Sequence, residues 1–174
     1  MSAALLIIDM QIGLFLGQEK PHDGERMLAN IQRLIALARR RQVPIFAVRH
    51  TGPAGSPIAA GSAFWQVLPA LELDAANATL FDKSRPNAFH GTELARQLNA
   101  ANIEDLYIAG MKTQFCIDST CRAAAELGFK PLLVADAHTC MDTPALPARA
   151  IIEHHNATLG AAFVRLINTA DIAF

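Results

Sequence analysis

Six apolar residues in a row, Ala3-Ala4-Leu5-Leu6-Ile7-Ile8, stop abruptly at Asp9-Met10-Gln11. A run this short is far below the length that spans a bilayer. It lacks the polar alternation of a half-exposed strand, so it reads as a strand buried on both faces. A strand covered on both sides demands a parallel sheet with helices above and below it.

The rest of the chain supplies those helices. Met27, Ile31, Leu34, Ile35 and Ala38 fall on one helical stripe, with Arg26, Arg33, Arg40 and Arg41 mostly off it. Val43 to Val48 reads as a second strand and His50 to Ser62 as a long Gly/Pro/Ala-rich loop. A short helical turn with Phe64, Trp65, Val67 and Leu68 follows, and Thr79 to Phe81 is a short third strand. Thr92 to Leu98 reads as a helix with Thr92 as N-cap, and Leu106 to Ala109 as a fourth strand ended by Gly110. A helix is expected from about Cys116 to Leu127, with Gly128 as its C′ glycine. Leu132 to Ala135 is a fifth strand, Ala148 to Thr158 a helix, and Phe163 to Ile167 a sixth strand. The expectation is one α/β domain over residues 1–174 built on a parallel, Rossmann-like sheet.

Composition narrows the function. Lys and Arg total 15 against 16 Asp and Glu, so no net charge points to nucleic acid or an anionic membrane. The amino terminus, Met1 onward, has no basic region and no cleavage site. With no long apolar run elsewhere, a cytoplasmic protein is expected. Three cysteines without CxxC spacing argue against disulfides and a zinc knuckle. Hydrophobic residues make up 52% and charged residues 18%, enough for a large core and a buried subunit interface.

Open parallel sheets bind ligands beyond the carboxyl ends of their strands. Asp9 follows the first strand, His50 the second and Lys83 the third; Cys116 lies in the turn after the fourth, and Asp136 and His138 follow the fifth. At the start of a helix, unpaired N–H groups and the macrodipole favour a thiolate, and a nearby ammonium acts in the same direction. A thiol of ordinary pKa ~8.5 is about 3% ionised at pH 7, and lowering that by ~2 units stabilises the anion by about 2.7 kcal/mol. Cys116 is thus either a nucleophile or a buried small hydrophobe. Asp9 is either a proton acceptor or a loop brace, and Lys83 either its ion partner or a solvated loop lysine.

Three ordered segments break that tie. Leu5-Leu6-Ile7-Ile8-Asp9-Met10-Gln11, Asp82-Lys83-Ser84-Arg85-Pro86-Asn87-Ala88-Phe89 and Gly110-Met111-Lys112-Thr113-Gln114-Phe115-Cys116-Ile117, followed by Thr120, Arg122, Ala123, Ala124 and Gly128, resemble the isochorismatase-like cysteine hydrolases. The resemblance runs from about residue 3 to the carboxyl terminus. It implies a three-layer sandwich around a six-stranded parallel sheet, and Asp9, Lys83 and Cys116 as a catalytic triad. It also implies a cis peptide at Met111–Lys112, with the Lys112 and Cys116 N–H groups forming an oxyanion hole. The chemistry implied is acyl transfer on a small molecule through a thioester, without a cofactor, in a homo-oligomer (dimer or tetramer).

Departures from the family refine the expectation. Nicotinamidases of this family place an Asp-x-His metal motif after the second strand, whereas Val48-Arg49-His50-Thr51 lacks the aspartate, so no metal is expected. Vinyl-ether cleavage of the isochorismatase type needs no thiol, so Cys116 favours amide hydrolysis over it; a non-catalytic binding protein is the third possibility. No GxGxxG or GxxxxGK[ST] follows the first strand, and Gln11 stands where a phosphoryl-accepting aspartate would need a second carboxylate. Phe15, Trp65, Phe89 and Phe115 are candidate pocket walls, with Gln11, His50 and Asn87 as polar substrate contacts. His138 and Cys140 form a second thiol–imidazole neighbourhood, while Cys121, His154 and His155 are expected to serve packing, capping or interface contacts.

Overall fold

A computed structural model describes residues 2–174; Met1, where the leaderless amino-terminal reading begins, lies outside the described residues. The elements run β1 (Ala3–Ile8), α1 (Ile12–Phe15), α2 (Gly24–Arg41), β2 (Ile45–His50), β3 (Thr79–Lys83), α3 (Leu94–Ala100) and β4 (Asp105–Met111). A π-helical turn (Thr113–Ile117) then leads into α4 (Asp118–Glu126), followed by β5 (Lys130–Thr139), α5 (Ala148–Ala162) and β6 (Arg165–Ile167). The six strands form one parallel sheet in the order β3-β2-β1-β4-β5-β6. Chain order reverses between β1 and β4, the place where such sheets open a crevice.

The period-two geometry of β1 explains its lack of polar residues. Leu5 and Ile7 enter one core with Ile31, Leu34, Ile35 and Ala38 of α2, while Ala4, Leu6 and Ile8 enter the other. That second core takes Leu94 and Leu98 from α3, Cys121 and Ala124 from α4, and Leu159 from α5. Three layers result. Each Leu or Ile sealed there contributes about 1.5–3 kcal/mol relative to exposure.

Several boundaries differ from those read in the sequence. β2 starts at Ile45 and runs to His50, and β3 runs to Lys83, so both side chains are carried on strand ends instead of following loops. β4 continues through Gly110 to Met111, and β5 continues to Thr139, which puts Asp136 and His138 inside a strand. Polar residues at strand ends carry no hydrophobic signal, although the ladder continues through them. α3 begins at Leu94 with Glu93 as N-cap, one residue later than expected; Thr92 donates its hydroxyl to Ala88 O at 2.6 Å and accepts from Leu94 N–H at 3.4 Å. Gly128 does close α4 with φ +87°, as expected.

Gly110 explains why β1 and β4 meet so closely. Its φ is +124°, and a Cβ there would stand 2.1 Å from Ile8 O. Only glycine allows that approach, immediately beside Asp9.

Candidate active site

Asp9 leaves β1 with φ +54°, a left-handed conformation that aspartate tolerates better than most residues. Its backbone N–H donates to Val48 O at 3.0 Å. Its carboxylate is sealed, and Lys83, from the end of β3, donates to Oδ2 at 2.8 Å. The same ammonium lies 3.1 Å from Cys116 Sγ and 3.2 Å from His50 Nδ1. An ammonium has three protons and no lone pair, so these three neighbours use all its donors. His50 Nδ1 therefore accepts, and its ring proton sits on Nε2.

A carboxylate oxygen of Asp9, a ring nitrogen of His50 and Cys116 Sγ lie within 4.8 Å of one another, a spacing that could suit a metal ion. The Lys83 ammonium already provides a cation among those atoms. Among the described residues Asp9 Oδ1 is buried with no hydrogen-bond partner, and such an orphan is costly unless a proton is delivered to it.

The thiol is not the ready thiolate that its sequence position suggests. Cys116 is the fourth residue of the π-helical turn, not the first of α4, and Phe115 and Ile117 N–H both donate to Lys112 O, at 3.1 and 3.3 Å. Burial and the neighbouring Asp9 push its pKa up to about 12, against the pull of Lys83. Burial also raises the Asp9 carboxyl above its ordinary range, opposed by Lys83. Burial and Lys83 together lower His50, which keeps that ring neutral. The resting centre is thus a neutral thiol beside a carboxylate–ammonium pair.

The Met111–Lys112 peptide is cis, and Lys112 precedes the turn that holds Cys116.

The expected pocket residues divide. Gln11 is fully buried and spends its amide on backbone: Nε2 donates to His50 O and Trp65 O at 3.0 and 2.8 Å, and Oε1 accepts from His50 N at 2.7 Å. It braces the end of β2 and the Trp65 segment, in place of the substrate contact expected of it. Phe15 sits in the α2-side core, not on a pocket wall, and Phe89 stacks on Phe129 with ring centroids 5.6 Å apart. Asn87 accepts from Phe89 N at 2.9 Å, which shapes its own turn. Phe115, beside the nucleophile candidate, is 53% exposed and open to contact.

Trp65 is half-buried and held from two sides: its Nε1 donates to Thr51 Oγ1 at 2.9 Å, and the Arg49 guanidinium lies 3.5 Å over its ring. Arg49 is in turn clamped by Asp82 at 2.7 Å. A hollow lined by Gly13, Leu14, Pro57, Phe64, Lys112 and Met141 adjoins the cis peptide. Leu14, Phe64 and Met141 carry no motif and were invisible as wall residues in the sequence. Gln114, inside the segment that carries the family resemblance, has its Oε1 buried in the π turn with no hydrogen-bond partner among the described residues.

Other candidates lie apart from the ion pair. His138 bonds Thr113 and Asn156 and not Cys140; Cys140 Sγ has Ala148 O as its partner at 3.8 Å. Asp136 accepts from Thr169 N and Oγ1, both at 2.8 Å. Cys121 is sealed in the core, and His155 caps back to Ile151 O at 2.8 Å.

Comparison with known proteins follows this geometry. A family profile described as "Isochorismatase domain" matches residues 3–171. Streptothricin hydrolase of Streptomyces noursei is 29% identical over 144 residues, covering 83% of this chain and 52% of its own. The chain thus spans about half the length of that relative. Nicotinamidase 3 of Arabidopsis thaliana is 27% identical over 148 residues, covering 78% of this chain and 72% of its own. The crystal structure of a protein from Burkholderia xenovorans LB400, described as a putative isochorismatase, superposes with a TM-score of 0.90 at 31% identity, over 98% of this chain and 85% of the other.

Proposed function

The chain belongs to the isochorismatase family of hydrolases, and from that premise we propose that it is a cysteine hydrolase that cleaves a C–N bond of amide type in a small molecule. The observation that carries the reading is Lys83 Nζ placed 2.8 Å from Asp9 Oδ2 and 3.1 Å from Cys116 Sγ in a buried centre.

In this reading Cys116 is the nucleophile and Asp9 its base. With the thiol at about 12, forming the free thiolate at pH 7 costs on the order of 7 kcal/mol. Proton transfer to Asp9 therefore accompanies attack on the carbonyl carbon and does not precede it. The proton lands on the orphaned Oδ1 while Lys83 holds Oδ2. The Lys112 and Cys116 N–H groups receive the oxyanion, and each such donor contributes about 3–4 kcal/mol. Asp9 returns the proton to the leaving nitrogen as the C–N bond breaks, leaving a thioester at Cys116. Water, deprotonated by Asp9, then cleaves the thioester and regenerates the thiol.

His50 meets the Lys83 ammonium, Phe64 lines the hollow that includes Lys112, and Phe115 is exposed beside Cys116, which suits a small amide with an apolar body. One relative bears the name of a nicotinamidase, which supports C–N chemistry, and another that of a streptothricin hydrolase, which supports hydrolysis of a small molecule. No described helix is long and apolar enough to cross a membrane. A cytoplasmic homo-oligomer, dimer or tetramer, completes the reading, and light scattering on the purified chain tests its assembly.

Release of ammonia or amine from a panel of small amides, with Cys116→Ala as control, tests the activity. Turnover abolished by Cys116→Ala supports the thioester route. Vinyl-ether cleavage that survives this substitution overturns it, because that chemistry needs no sulfur nucleophile.

A further inference from the structure

His138 is a buried histidine that the mechanism above does not use. It reaches the back of the turn that carries Cys116 because of an irregularity in the sheet. Along β4 and β5, Leu133 pairs with Ile108, but the next pair is His138 with Gly110. Two steps on β4 are matched by five on β5, so a bulge of extra residues carries β5 onward behind the turn.

There the imidazole makes two side-chain bonds. Its Nε2 lies 2.8 Å from Asn156 Oδ1 on α5, and its Nδ1 lies 2.9 Å from Thr113 Oγ1, the first residue of the π turn. An amide oxygen only accepts, so the ring proton is on Nε2. The lone pair on Nδ1 then takes the Thr113 hydroxyl proton. Thr113 and His138 are both sealed from solvent, so neither water nor a rotated side chain replaces this bond.

We propose that His138 is a positioning residue: as a neutral relay from Asn156 it holds Thr113, and through Thr113 the π turn, in the orientation that presents Cys116 to Asp9. Burial supports the neutral form, with the pKa lowered to about 4 by desolvation, helped by His155 and opposed by Asn156 and Asp136. The proposal rests on the reading of Cys116 as nucleophile.

The test compares H138L, H138Q, T113V and the double variant T113V/H138L, all in the full chain. The rate of Cys116 alkylation by iodoacetamide is read by mass spectrometry, and Cys121 and Cys140 serve as internal references. Thermal unfolding is recorded in parallel. Gln offers an amide oxygen to Thr113 and an amide N–H to Asn156, so H138Q is expected to recover most of the rate. T113V and H138L are each expected to slow alkylation about 10-fold, with the double variant no slower than either. T113V removes one oxygen with little change of shape, so it decides the matter even where H138L fails to fold. Wild-type rates in T113V, or an H138Q as slow as H138L, overturn the inference. Amide turnover that survives Cys116→Ala instead overturns the nucleophile reading, independently of these alkylation rates.

Discussion

Asp9 and Lys83, 74 residues apart in the chain, form an ion pair at 2.8 Å that is almost wholly sealed from solvent. Each charge is tolerable only because the other is there, since a lone buried ion costs far more than a surface pair gains. The pair therefore couples the stability of the sheet end to the chemistry at Cys116.

Breaking the pair tests that coupling. Asp9→Asn and Lys83→Met are each expected to destabilise the fold by about 3–5 kcal/mol, because one charge is left buried alone. The double variant is expected to recover most of that loss. Hydrolysis falls at least ~100-fold in all three, the scale of a lost general base. Urea unfolding and amide turnover measured together check it; a double variant as unstable as the singles counts against the pair.

Gln11 makes a separate prediction. Gln11→Leu removes three bonds to backbone groups of His50 and Trp65 and leaves those groups unpaired in the interior. A loss of about 2–4 kcal/mol in urea unfolding is expected. A loss below ~1 kcal/mol would show that water replaces the brace.

Gly110→Ala should be among the worst tolerated single changes. The added methyl meets three backbone atoms of Ile8 in a conformation with φ +124°, and backbone paired in the sheet cannot step aside as a flexible side chain would. A destabilisation above ~4 kcal/mol, or insoluble protein, is expected. A soluble variant with an unchanged melting temperature refutes this account of β1–β4 packing.

His138 gives stability a pH signature. Its pKa is about 4 in the fold against 6.5 for the ordinary group. Between those values the unfolded chain binds a proton that the folded chain refuses. The neutral ring's contribution is thus complete above pH 6.5, lost progressively as pH falls toward 4, and constant below that. The window corresponds to about 3 kcal/mol. Between pH 7 and 4 the unfolding free energy of wild type should fall by roughly that amount relative to H138Q, which does not titrate at this position; parallel curves would exclude a buried neutral histidine.

Much of this protein was determined by local pattern. The continuous apolar run of β1 and the stripe of α2 specified a sheet covered on both faces, because burial imposes its period directly on the chain. Asp9, Lys83 and Cys116 stand out as reactive residues beyond apolar strands, but local pattern leaves each with two roles, and only the family resemblance joins them as a triad.

What only the tertiary structure decided is the electrostatic state and supporting frame of those residues. A helix start in the sequence suggests a thiolate at Cys116, yet burial and the Asp9 carboxylate, brought in from another strand, hold it as a thiol. That Gln11 spends its amide on the backbone of His50 and Trp65, and that Asn87 Oδ1 accepts from Phe89 N–H, cannot be read before the fold brings these groups together. The bulge in β5 that delivers His138 to Thr113 has no local signature at all. Hydrophobic period is a property of neighbours in sequence, whereas pKa and hydrogen-bond satisfaction depend on neighbours in space, and those exist only once the strands have paired.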